Sequence, residues 1–251
     1  MAQLGSYYNY GDSPYPIRAD LADAYKEYWQ NLAEPGNWFS GAQRVAIAAE
    51  VRNALECPFC VTRKAALSPY AVQGDHLKGD GLEDEMVDAV HRIVTDQSRI
   101  TQNYIDDNAK QGFSEEQYVE LASIVVNVFS IDEFNRALGL SVEPLPEPVA
   151  GEPDNYRPEL TDRATGFVSM ITPEGAQGKE ADLWEAGRTA NVLRALSLVP
   201  DGVRSWMKIA DQQYLSMKGM MNFSGPNGRA INRMQIELVA GRVSSINECF
   251  Y

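Results

Sequence analysis

Histidine occurs twice and cysteine three times in 251 residues, so chemistry that needs either residue has few places to sit. Three cysteines are too few, and odd in number, for a disulfide framework. Cationic side chains are also scarce, with 22 Lys and Arg against 35 Asp and Glu and a net charge of -13. A phosphate-backbone partner requires a clustered positive field, so nucleic acid is excluded as an expected partner. Long apolar runs are missing as well, and no membrane span is expected. The opening residues, MAQLGSYYNYGDSPYP, have neither a basic stretch nor an apolar core of the secretory type, which predicts a cytoplasmic location.

What is present suits a globular protein, because a 44% hydrophobic and 10% aromatic composition can fill real cores. The pattern is helical almost throughout. Residues 19–34 are rich in helix formers, and residues 41–56 form a second helix with a small inner face at Ala46, Ala48, Ala49 and Ala54. Cys57 opens a third, which must break near Ser68-Pro69 because a residue before proline avoids the α region. Met86, Val87, Val90, Ile93 and Val94 recur at helical spacing, as do Tyr118, Leu121, Val125 and Val128. Ser114 and Gln117 read as a capping box for that last helix, and Gly139 closes it. No strand alternation is evident, and the expected fold class is all-α.

Five of the thirteen prolines fall between Pro144 and Pro158, where a helix cannot continue and the chain should run extended. The expected organisation is therefore a first helical domain over 1–143, a proline-rich and irregular segment over 144–178, and a second helical domain over 179–251. A weak internal repeat supports two related halves. Gln43–Cys57 aligns without a gap on Gln235–Cys249, matching Gln43 with Gln235, Val51 with Val243, Glu56 with Glu248 and Cys57 with Cys249. Phe-Ser-Gly precedes each copy, at Phe39 and at Phe223. Both copies are expected to be helices packed closely against similar neighbours.

The chemistry-bearing motif is Cys57-Pro58-Phe59-Cys60. Proline is favoured at the first helical position, which makes Cys57 the expected N-cap and puts Cys60 in the first turn. Unpaired N–H groups and the helix dipole there favour thiolate, the reactive form of cysteine. Arg63 and Lys64 add positive charge one turn on. Cys60 is thus the expected attacking thiol and Cys57 the resolving one, the alternative being two buried cysteines that act as small hydrophobes. Glu50 lies two turns before Cys57 on the same face and could serve the thiols as an acid, or else is a hydrogen-bonded glutamate at a helix contact. His76 lies in a loop and could fold back on the cysteines, whereas His91, beside an apolar stripe, reads more as a core residue than as a catalytic one. Zinc held by these cysteines and histidines fits no familiar structural zinc spacing, so neither a metal nor a cofactor is expected.

The helix ending in Glu56-Cys57-Pro58-Phe59-Cys60 resembles the redox helix of alkylhydroperoxidase D-like (carboxymuconolactone decarboxylase-like) proteins. So does Gly112-Phe113-Ser114-Glu115-Glu116 leading to Asn135-Arg136-Ala137-Leu138-Gly139, and so does Glu237-Leu238-Val239-Ala240 with Arg242-Val243-Ser244 and Asn247-Glu248-Cys249. The resemblance covers roughly residues 20–140 and 180–251. It implies a helical fold that associates into homo-oligomers and a cysteine pair acting on a hydroperoxide or disulfide, reduced by an external dithiol. It also implies a relay His four residues after the second cysteine and a relay Glu twelve before the first. Those positions hold Lys64 and Val45 in the first copy, while the second copy has Glu237 but one cysteine. The departures at Val45 and Lys64 favour a second reading, a helical binding or assembly subunit without catalysis; a third, a lyase acting on a carboxylated lactone as some cysteine-free relatives do, is disfavoured by the C-x-x-C pair.

Overall fold

A computed structural model describes residues 10, 11, 13–225 and 227–246. Its order begins with α1 (Ala19–Ala33), α2 (Gly41–Glu56), α3 (Pro58–Ala65), α4 (Asp84–Thr95), α5 (Gln102–Lys110) and α6 (Glu115–Ala137). After a long irregular stretch come α7 (Asn191–Arg194), α8 (Pro200–Gln213), α9 (Met217–Met220) and α10 (Arg233–Ile246). The fold class is all-α. Among the described residues the one departure is a short antiparallel pair between β1 (Thr161–Asp162) and β2 (Met170–Ile171), which clips the irregular segment to itself. With two residues to a strand, no alternation could announce it in the sequence.

Local chemistry sets the helix ends. Ser40 and Gln43 form a reciprocal capping box at the start of α2, and Ser114 and Gln117 form another at α6. Each box satisfies two N–H groups that the first turn leaves without partners. Gly139 follows α6 with φ +72°, a left-handed conformation that costs glycine little. The main core is built from α1, α2, α4 and α6 around Tyr25, Trp29, Leu32, Phe39, Ile47, Leu121, Val128 and Ile131, all without exposed surface. Each such side chain contributes about 1.5–3 kcal/mol by leaving water. Arg52 of α2 clamps Asp132 of α6 with both ends of its guanidinium, at 2.7 and 2.9 Å.

The proline-rich stretch is irregular and lies back on the first unit. Val149 N–H donates to the Ala33 carbonyl and Asn155 N–H to that of Asn37. Beyond it, Ile171, Leu183, Trp184, Leu193 and Val203 make a smaller core. Helix α8 spans both groups, since Val203 belongs to the small core and Ile209 to the main one.

Over their described residues both repeat copies are helical, and their starts agree. Asn232 and Gln235 reproduce at α10 the reciprocal cap of Ser40 and Gln43, with Gln235 N–H on Asn232 Oδ1 at 3.0 Å and Asn232 N–H on Gln235 Oε1 at 2.9 Å. Their surroundings differ, contrary to the expected equivalence. Helix α2 is wedged in the core, whereas Leu238, Val239, Val243 and Ile246 of α10 are exposed. Glu248 and Cys249 lie outside the described residues.

Candidate functional site

Helix α2 ends at Cys57, whose extended backbone (φ -74°, ψ 112°) also serves as the N-cap of α3, with Pro58 at the first helical position. Cys60 follows in the first turn of α3. Both thiols are free and buried. Residues 66–83 then form a loop that folds over the start of α3. Two of its backbone donors pin it: Leu77 N–H reaches Cys57 Sγ at 3.3 Å, and Gly79 N–H reaches Glu50 Oε2 at 2.9 Å. Alternate N–H groups of extended chain point the same way, so one short segment can bind both groups. The same segment sets His76 above the sulfurs. Helix α4 supplies Asp88, His91 and Arg92, whose i, i+3 and i+4 spacing puts them on one face.

The result is a convergence on Cys60. Its Sγ lies 3.1 Å from His91 Nδ1 and 3.5 Å from His76 Nδ1, and the latter is also 3.8 Å from Cys57 Sγ. Each histidine is held from behind by a carboxylate. His91 Nε2 is 2.7 Å from Glu50 Oε1, and His76 Nε2 is 3.1 Å from Asp88 Oδ1. The carboxylates are themselves fixed, Glu50 by Asn53 and Gly79, and Asp88 by Arg63, Arg92 and the Tyr104 hydroxyl. Arg63 Nη2 also comes within 4.0 Å of Cys60 Sγ.

This arrangement sets the charge state. Burial opposes ionisation of Cys60, but hydrogen bonds from His76 and His91 outweigh it and hold its pKa at about 5. Cys57 is lowered as well, its burial outweighed by the Leu77 N–H and neighbouring donors. Burial disfavours imidazolium, yet Asp88 and the thiols raise His76 to about 10, and Cys60 with Glu50 raises His91 to about 9. Asp88 is held well below the usual carboxylate range against its burial, by His76 and two arginines. At neutral pH the centre therefore holds thiolate beside imidazolium, the state in which cysteine is nucleophilic.

Beside this centre opens a cavity of about 430 Å³, lined by Phe59, Arg63, Tyr70, Gly74, His76 and Asp88 among others. His76 stands between the cavity and Cys60, so a small molecule there meets the imidazole edge before the sulfur.

Of the residues expected from sequence, Cys57, Cys60, Glu50 and His76 come together. Lys64 does not: it is exposed and borders a separate groove with Ile93, Val94 and Phe129. The charge expected from Lys64 comes instead from Arg63, which turns inward to Asp88. His91, read from sequence chiefly as a core residue, is both wholly buried and in contact with Cys60. Asp88, Arg92 and Tyr104 carried one signal, the Asp88–Arg92 spacing on a single helix face. No protein-family model, curated protein or solved structure matches the chain.

Proposed function

We propose that the chain is a thiol-dependent peroxidase or disulfide oxidoreductase of the alkylhydroperoxidase D-like type, working through Cys57 and Cys60. The observation that carries this reading is the contact of Cys60 Sγ with two histidines, each backed by its own carboxylate. Glu50 and His91 reach the sulfur as a relay of the kind the family implies, though neither stands at the family's usual sequence positions. In the first step Cys60 thiolate attacks a hydroperoxide, breaking the O–O bond and forming a sulfenic acid. The departing alkoxide takes a proton from an adjacent imidazolium. Cys57 then condenses with the sulfenic acid, releasing water and forming the disulfide, and an external dithiol reduces it by exchange. The substrate side is the cavity at His76.

Among the described residues no helix is long and apolar enough to cross a membrane. A cytoplasmic setting would keep Cys57 and Cys60 reduced between turnovers. The exposed apolar residues of α10 support self-association.

The test is peroxide treatment of reduced protein followed by mass spectrometry of blocked thiols. Loss of both thiols with formation of a Cys57–Cys60 disulfide is expected. Cys60→Ser should abolish turnover with a dithiol reductant, and Cys249→Ser should leave it nearly intact. Absence of a disulfide in the wild type rejects the reading, and equal loss from both substitutions refutes the division of labour between the copies and points to a site shared with Cys249.

A further inference from the structure

The two histidines raise a question that proton transfer does not answer. Each turns Nε2 to a carboxylate and Nδ1 to the sulfurs, and their ring centroids are 4.2 Å apart. Each Nε2–H is donated to Glu50 or Asp88, so a metal that displaces the protons shared between Nδ1 and the sulfurs meets a lone pair of each ring in the same small volume. Cys57 and Cys60 direct their sulfurs into that volume too, and the ligating atoms of all four residues lie within 4.8 Å of one another.

We propose that Cys57, Cys60, His76 and His91 form a tetrahedral site for a divalent transition metal, zinc foremost, when the cysteine pair is reduced. Zinc bonds of about 2.3 Å to sulfur and about 2.0–2.1 Å to nitrogen set tetrahedral ligands roughly 3.3–3.8 Å apart. The sulfur–nitrogen separations of 3.1, 3.5 and 3.8 Å already bracket that range. Two thiolates with two imidazoles select zinc over magnesium or calcium, which take oxygen ligands. The outer shell is also built. Carboxylates on both Nε2 atoms fix the tautomer that frees Nδ1 for a metal. Leu77 N–H on Cys57 Sγ and Arg63 near Cys60 Sγ offset the thiolate charge. The entry path is the cavity that His76 borders. A bound ion would join the end of α2, the first turn of α3, the 66–83 loop and α4 at one point. The site shares Cys57 and Cys60 with the peroxidase reading but does not rest on it, because metal binding needs only the reduced pair and not peroxide turnover.

The experiment uses the full chain, reduced and freed of metal with a chelator, then titrated with Co²⁺. One equivalent should produce the intense visible bands of tetrahedral cobalt with a thiolate-to-cobalt charge-transfer band, and one equivalent of Zn²⁺ should bleach both. Cys60→Ser and His91→Ala should lose this spectrum. Glu50→Gln and Asp88→Asn should keep it with affinity roughly 10–100-fold weaker. In the wild type, which avoids any folding defect of a variant, one equivalent of Zn²⁺ should protect both cysteines from alkylation. A wild type with no saturable cobalt spectrum overturns the site, as does an unchanged spectrum in a folded His91→Ala variant. If that metal-free wild type still forms the Cys57–Cys60 disulfide with peroxide, the metal site alone has failed. If the protein binds cobalt but its metal-free form does not react with peroxide, the metal site stands and the peroxidase reading falls.

Discussion

Cys60 differs from an ordinary thiol through its neighbours. Its place in the first turn of α3 supplies some stabilisation of negative charge, but the larger effect comes from His76 and His91 at hydrogen-bond range. Because its pKa is lowered to about 5, the thiolate persists as pH falls and is lost only as pH drops through that value. In metal-free protein, alkylation of Cys60 should hence stay nearly constant from about pH 8 to about pH 6, where a free thiol of pKa about 8.5 slows roughly tenfold per unit. Glu50→Gln should shift the midpoint upward, since Glu50 helps to hold the proton on His91 that Cys60 accepts. A Cys60 profile rising with slope one up to pH 8 would mean that the imidazoles do not stabilise its charge.

At the scale of elements, the site depends on how closely α2 approaches its neighbours. The helix carries Glu50 in its third turn and delivers Cys57 at its end, so its position against α4 sets the Glu50–His91 distance. Small residues permit that approach, with Ala48 and Ala54 buried. Gly41 opens α2 in close quarters: a Cβ there would stand 2.2 Å from the Ala33 carbonyl oxygen and 2.7 Å from that of Val149. Both obstacles are backbone and cannot rotate away. Gly41→Ala should therefore lower stability by about 1–3 kcal/mol, as expected for an overpacked contact, and reduce Tm in a thermal melt. An unchanged Tm would show that the α1–α2 corner yields without cost. The bidentate Arg52–Asp132 pair fixes the other side of α2.

For the whole molecule, the contrast between α2 and α10 is the main architectural fact. Both start with the same reciprocal cap, but α2 is surrounded, whereas α10 leaves Met234, Leu238, Val239, Val243 and Ile246 exposed. Five exposed apolar side chains on a helix of 14 residues suit an interaction surface. Self-association through α10 is the expected outcome, read by light scattering as a species heavier than 27.8 kDa at micromolar concentration. Replacing Leu238 and Val243 together by Asp should return the 27.8 kDa species without loss of helicity. A wild type that is monomeric throughout would rule the assembly out.

Helix periods, the capping box at Ser114, Pro58 at the start of α3 and the closeness of Cys57 to Cys60 were legible in the sequence. Each depends on residues within about one or two turns of one another, and such local preferences act before any tertiary contact forms. The all-α class followed from the same periodicity. The surroundings of the thiols were decided only in three dimensions. His76 and His91 lie 16 and 31 residues from Cys60, and no spacing rule says that a loop pinned by Leu77 and Gly79 folds back or that α4 turns His91 inward. Arg63 rather than Lys64 faces the site because Asp88 stands on the Arg63 side of α3, a fact of packing. The repeat fixed how α10 begins but not what covers it, since a cap is a contact of neighbours in sequence and burial is a contact of neighbours in space.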